Sequence, residues 1–123
     1  MIYGIGVDIV HVDRLQKWES VDGLITRFFH PREIEDAESR KSSRSVSLAA
    51  RFAAKEAFGK ALGTGLRGIK LKDIQVVSNH NGKPDIIVHG TAAAAMAATG
   101  ARSIFLSMTH ERDNAVAMVV LEN

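Results

Sequence analysis

The chain has 123 residues, enough to bury one core and too few for two, so a single domain over residues 1–123 is expected. Its 46% apolar and 24% charged residues are those of an ordinary soluble globular protein, and the absence of Cys excludes a disulfide framework, a thiolate metal site and a thiol nucleophile, in keeping with a reducing cytoplasm. A net charge of +2 suits an anionic partner such as a phosphate compound or an acidic protein, while five Phe, one Trp and one Tyr without basic interleaving weigh against a nucleic-acid platform.

The stretch Met1 to Gly6 has no basic segment ahead of an apolar one, and Asp8 interrupts it early, so neither a signal peptide nor a membrane span is expected. Tyr3 to Val10 reads as a strand, with Tyr3, Ile5, Val7 and Ile9 on one face and Gly4, Gly6 and Asp8 on the other. Two glycines beside an acid leave that face bare, so a backbone, a helix or a ligand can come close. Asp13 with Gln16 three residues on resembles a capping box that opens a short helix carrying Leu15, Trp18 and Val21, with Arg14 and Lys17 beside Trp18. Asp22-Gly23 breaks the pattern, and Leu24 to Phe29 is a compact apolar run suited to a helical turn. Pro31 at the first helical position and Glu33 two residues on start another helix, reaching to about Arg40, with acids at its front and bases at its end as the helix dipole favours.

The polar run Glu38 to Ser45 reads as a loop before an alanine-rich helix, Arg51 to Gly63, with Ser42, Ser43 and Ser45 as candidate N-caps and Gly63 as its stop. At about 100° per residue, Glu56 and Lys60 fall one turn apart on the side of Ala49, Phe52 and Ala53, which suggests a covered salt bridge or a site that something docks against. Arg51 and Lys55 lie about 100–140° from Glu56, facing another part of a ligand, a neighbouring chain or water. Gly63 to Gly68 matches GxGxxG, but it leaves a helix and enters a strand, the reverse of a dinucleotide fingerprint, and is read as a loop that lets backbone approach a ligand. Asp73 to Ser78 and Asp85 to His89 form a hairpin across the Asn81-Gly82-Lys83-Pro84 turn. Thr91 caps a helix to Thr99 that Gly100 stops, and Ser103 to His110 pairs with Ala115 to Leu121 across Glu111 to Asn114. The fold class is therefore α+β, a mostly antiparallel sheet packed against helices.

Asp8 and Glu56 could meet if the alanine-rich helix packs on the glycine face. Two carboxylates with little else suit Mg²⁺, which keeps several waters and takes further ligands from substrate phosphates; the alternative is one acid paired with Lys60 and the other capping. Lys60 could neutralise phosphate charge beside such a metal. The five histidines, at 11, 30, 80, 89 and 110, have no HxH or HExxH spacing, and a triad drawn from Ser107 and His110 lacks a GxSxG turn. His110, a lone residue at a strand end, reads on its own as a hydrogen-bonded structural group.

Together, Gly6-Val7-Asp8-Ile9 with Arg14, the block Arg51 to Gly65, Asn81-Gly82-Lys83-Pro84 and Ser107-Met108-Thr109-His110 before Ala115-Val116-Ala117 resemble the holo-acyl-carrier-protein synthases, the short bacterial 4′-phosphopantetheinyl transferases. The resemblance spans the chain in the right order. It implies the transferase fold and an activity: a serine of apo acyl carrier protein attacks the β-phosphorus of coenzyme A, and adenosine 3′,5′-bisphosphate leaves. It also implies Asp8 and Glu56 as ligands of Mg²⁺ (or Mn²⁺), with Lys60 assisting, and leaves the general base open among Glu56, Lys60 and a metal-held water. Arg51 and His110, with Lys60, Gly63, Gly65 and Pro84, would hold the coenzyme; Arg14, Lys17 and Arg27 would meet the acidic carrier. The family further implies a cytoplasmic homotrimer with sites between subunits, serving fatty-acid or polyketide synthesis. This chain departs at His30-Pro31, where Ser or Thr is common, and at Gly59, where Ser is frequent. Two other classes compete on the residues alone: a non-catalytic oligomer binding acidic proteins or nucleotides through Arg14 and Arg51, and a metal-dependent phosphate-ester hydrolase.

Overall fold

The computed structural model describes residues 1–40 and 43–123. In chain order it places strand β1 (Ile2–His11), helices α1 (Val12–Glu19), α2 (Leu24–Phe28), α3 (Pro31–Glu38) and α4 (Arg44–Leu62), a 3₁₀ turn at Leu71–Asp73, strands β2 (Ile74–Ser78) and β3 (Pro84–Val88), helix α5 (Gly90–Thr99), and strands β4 (Ser103–Glu111) and β5 (Asn114–Glu122). The α+β reading holds, with one refinement: the strands form two antiparallel sheets, one ordered β1-β5-β4 and the other the β2-β3 hairpin.

The glycine face of β1 is explained by α4. A Cβ on Gly4 would stand 2.0 Å from the Ala61 carbonyl oxygen, and one on Gly6 would stand 1.9 Å from that of Ala57. No side chain fits there, so the helix backbone lies directly on the strand. Ala49, Ala53, Ala57 and Ala61, four residues apart, are all buried, and so are Ala115, Ala117, Val119 and Leu121 of β5, the strand that α4 packs on beside β1. From Leu48 to Leu62 only Glu56 and Lys60 are not buried, so α4 is a central helix covered on nearly every side. The opposite face of the three-stranded sheet is bare: Tyr3, Ile5, Val7, Ile9, Phe105 and Met118 are all exposed.

Several caps differ from expectation. Helix α1 begins at Val12 after His11 with no side-chain cap, and Asp13 instead pairs with Lys17 at 3.4 Å within the helix; Val21 lies beyond its end and is exposed. Helix α3 ends at Glu38, leaving Arg40 past its last turn. Its start is a true capping box: His30 Nδ1 accepts from Arg32 N at 3.1 Å and Glu33 Oε1 accepts from His30 N at 2.9 Å, so the histidine does the work of the usual hydroxyl. Of the serines proposed to cap α4, Ser42 lies outside the described residues, Ser43 takes the N-cap position but its hydroxyl donates back to the Arg40 carbonyl at 3.1 Å and not to the helix, and Ser45 sits inside the helix and donates to Glu19 at 2.7 Å. The helix extends upstream of Arg51 because Val46, Leu48 and Ala49 continue its apolar pattern into the core. His89, not Thr91, precedes α5; the Thr91 hydroxyl donates to Asp73 Oδ2 at 2.6 Å, so Asp73 belongs to a turn that anchors α5, not to β2. Gly63 and Gly100 end α4 and α5 at φ 86° and 83°, as read from the sequence.

Gly6→Ala should therefore destabilise the fold by at least about 2 kcal/mol, because the new methyl meets helix backbone that cannot rotate away. Urea unfolding followed by circular dichroism checks this, and an unchanged midpoint would contradict the packing described.

Candidate active site

Strand β1 and helix α4 bring Asp8, Glu56 and Lys60 to one flank of the helix. Lys60 Nζ lies 3.0 Å from Asp8 Oδ1 and donates to the Val7 carbonyl, also at 3.0 Å. The sequence alternative of an acid paired with Lys60 is thus realised by Asp8, while Glu56 has no ion-pair partner among the described residues. The Glu56 carboxyl is pushed above its ordinary value, first by burial and then by the charge of Asp8, against the opposing pull of Arg14 and Lys60. Two carboxylates close enough to repel, one of them without an ion-pair partner among the described residues, form an all-oxygen donor set. That set fits a hard divalent cation, and among the described residues no third carboxylate, His or Cys joins it to make a closed metal cage.

Arg14 completes this flank. Its guanidinium carbon lies 5.0 Å from the Trp18 ring centroid and 5.2 Å from that of Phe52. Trp18 packs edge-on against Phe52 at 4.9 Å and tilted against Phe28 at 5.4 Å. The result is a basic and aromatic surface running from α1 to α2. Lys17 is exposed there beside Asp13, and Arg27 lies 5.8 Å over Phe28.

Arg51 and Lys55, which the sequence reading let face a ligand, a neighbour or water, lose the last of those alternatives. Both are buried, at 3% and 0% exposure, and both bond inside the chain, so neither is a solvated charge. Lys55 Nζ donates to Glu33 Oε1 at 2.7 Å, to the Leu71 carbonyl at 3.0 Å and to the Ile74 carbonyl. Burial pulls the Lys55 ammonium below its usual value, and Glu33 opposes that. Glu33, read as a helix-front acid, also accepts from Val76 N at 3.1 Å and so ties α3, α4 and β2 together. Arg51 donates to the Val76 carbonyl at 2.6 Å, to Ser47 Oγ at 3.2 Å and to Asp36.

Arg51 nevertheless reaches a cleft of about 230 Å³, which it lines together with Arg40, Pro84 and His110. This cleft and the Asp8 cluster lie on different flanks of α4, since Arg51 and Glu56 are five residues, or about 140°, apart. Strands β1 and β4, which carry Asp8 and His110, are the two edges of their sheet with β5 between. Gly63 and Gly65 belong to the loop after α4. Gly65 N donates to Gly59 O at 3.0 Å, folding that loop back over the helix. A Cβ on Gly59 would stand 2.9 Å from both Gly65 C and Leu66 Cδ2, so the loop leaves no room at this position for the Ser that the resemblance led one to expect.

Comparison with known proteins adds three findings. A family model described as the 4′-phosphopantetheinyl transferase superfamily matches residues 4–118. The holo-[acyl-carrier-protein] synthase of Treponema denticola is 52% identical over 122 residues, covering 99% of each chain, and that of Geotalea daltonii is 47% identical over 125 residues at the same coverage. Among solved structures, the Neisseria meningitidis holo-[acyl-carrier-protein] synthase superposes with a TM-score of 0.89 at 35% identity over 100% of both chains. The Bacillus anthracis synthase, solved in complex with CoA (3′,5′-ADP), gives 0.83 at 36% identity over 99% of this chain and 97% of its own.

The raised Glu56 carboxyl has a signed consequence. The folded protein holds that proton more tightly than the unfolded chain, so the stability it contributes is present below the ordinary carboxylate value and is lost as pH rises through the folded one. Glu56→Gln should thus melt higher than wild type at neutral pH in a chelator, with the gap closing towards about pH 4. A gap that is flat with pH would contradict this assignment.

Proposed function

This chain belongs to the 4′-phosphopantetheinyl transferase superfamily, and from that premise we propose that it transfers the 4′-phosphopantetheine group of coenzyme A to a serine of an apo acyl carrier protein. The observation that carries the reading to particular residues is the cluster of Asp8 on β1 with Glu56 and Lys60, the two residues of α4 between Leu48 and Leu62 that are not buried. Asp8 and Glu56 would hold Mg²⁺, or Mn²⁺ in its place, and when bound the metal would stabilise charge on the coenzyme's phosphates. Lys60, on the same flank, adds a positive charge for the transferring phosphoryl group. The serine oxygen forms a bond to the β-phosphorus as the pyrophosphate bridge breaks, its proton passing to Glu56, Lys60 or a water, and adenosine 3′,5′-bisphosphate departs with the bridging oxygen. The cleft of Arg40, Arg51, Pro84 and His110 would take the 3′-phosphate and adenosine end, with the Gly63–Gly65 backbone lying near the coenzyme.

Arg14, Lys17 and Arg27 would face the carrier's acidic recognition helix, and the Trp18, Phe28 and Phe52 rings supply an apolar base for it. The two clusters on separate flanks of α4 support a site shared between copies, one supplying Asp8 and Glu56 and the next supplying Arg51 and His110. The exposed apolar sheet face supports the same arrangement. Ile5, Val120 and Phe105 form one cross-strand row, and Ile5 and Phe105 are 59% and 53% exposed. A homotrimer through this face would cover it. Residues 1–123 would act as one transferase domain, in the cytoplasm, supplying holo carrier for fatty-acid or polyketide synthesis. No described helix is long and apolar enough to cross a membrane.

Incubation with apo acyl carrier protein, coenzyme A and Mg²⁺ should add phosphopantetheine to the carrier by mass spectrometry, and Asp8→Ala and Glu56→Ala should each cut the rate by about 100-fold or more without unfolding the protein. No mass gain in wild type would refute the transfer. Near-normal rates in either variant would remove that residue from the site.

A further inference from the structure

Helix α3 carries Glu33 and Asp36, and both are spent on α4. Glu33 meets Lys55 and Asp36 meets Arg51, three residues apart on one helix against four on the other. The first pair is wholly buried and only packs the core. Asp36 differs: its side chain is 41% exposed while that of Arg51 is 3% exposed, so the carboxylate stands where a buried guanidinium meets the surface. The same Oδ2 lies 3.6 Å from Nη2 of Arg40, one turn further on. Arg40 and Arg51 line one cleft with His110, Ser43, Ser47 and Ser78.

Arg51 has almost no freedom in this arrangement. Its Nε, Nη1 and Nη2 are each engaged, by Ser47 Oγ, the Val76 carbonyl and Asp36 respectively. A guanidinium carries five N–H groups, so about two remain for a ligand in the cleft. Two guanidinium groups on one wall repel each other unless an anion stands between them. Asp36 is that anion. Burial lowers the Arg51 guanidinium's pKa, and Asp36 provides the largest opposing effect.

We propose that Asp36 is a positioning and specificity residue, holding Arg40 and Arg51 as a paired cradle for a phosphate monoester and so setting the preference for coenzyme A over its 3′-dephospho form. This rests on the reading that the cleft takes the 3′-phosphate end of coenzyme A. A phosphate monoester presents several acceptor oxygens, and two guanidinium groups fixed side by side meet them with little ordering left to do. The carboxylate costs some attraction for the dianion, and the orientation it imposes outweighs that loss. Charge alone predicts that removing Asp36 tightens coenzyme A binding; positioning predicts the reverse.

The test is isothermal titration of wild type, Asp36→Ala, Asp36→Asn and Asp36→Glu with coenzyme A and with 3′-dephospho-coenzyme A, each variant checked by thermal unfolding. Asp36→Ala should weaken coenzyme A binding roughly tenfold and leave the dephospho form within about twofold, while Asp36→Glu restores most of the difference. Asp36→Asn, which keeps the shape and one acceptor, should fall between them and serves alone if the alanine variant does not fold. Equal weakening of both ligands, no change, or tighter binding of coenzyme A would overturn the proposal. A wild type that binds both forms equally would instead refute the reading of the cleft, and the proposal with it.

Discussion

The contact on which the rest of the structure depends is the close approach of α4 to β1. Helix backbone lies on strand backbone at Gly4 and Gly6, with no room for a single carbon at either position. A helix brought that near aligns its own side chains with those of the strand. Asp8, the next residue on the same face of β1, is therefore carried to within 3.0 Å of Lys60 and into the field of Glu56. Larger residues on the strand would lift the helix and separate the two carboxylates, so the packing and the proposed metal site are one arrangement.

The remaining charges of α4 serve the fold. Lys55 and Arg51 enter the core, where an unpaired ion is costly, and each is met by an acid of α3 and by carbonyls of the second sheet. A slip of α3 along α4 would leave both pairs broken at once. These pairs thereby fix where α3 and β2 stand, and with them the cleft that Pro84 and His110 share with Arg51. One helix thus has a flank for the proposed chemistry and a flank whose ions are largely internal.

Much of this was legible in the residues. Alternation in β1, the glycine stops at 63 and 100, and both hairpins follow from period and turn chemistry, and the structure keeps them within a residue or two. Asp13 and Thr91 look like helix caps in the sequence, but a short polar side chain near a helix start can equally pair along the helix, as Asp13 does with Lys17, or bond a neighbouring turn, as Thr91 does with Asp73. The fates of Arg51 and Lys55 were hidden for a deeper reason. A charged residue in an alanine-rich helix reads as solvated until its partner is known, and Glu33 and Asp36 come from a different helix. The matched spacing, acids three apart and bases four apart, is visible in the chain but selects no partner without tertiary placement. Asp8 and Glu56 were easier, since glycines beside one and small residues around the other already left space.

The central claim is that the Asp8 flank of one copy and the His110 flank of another act on the same coenzyme A. Asp8→Ala and His110→Ala proteins, the latter assayed at low coenzyme A, test it when mixed, unfolded together and refolded. If sites form between copies, mixed assemblies regain activity that neither variant has alone, approaching about a quarter of wild type when copies combine at random. Activity no greater than the sum of the two separate variants, in assemblies verified to contain both, would contradict a shared site.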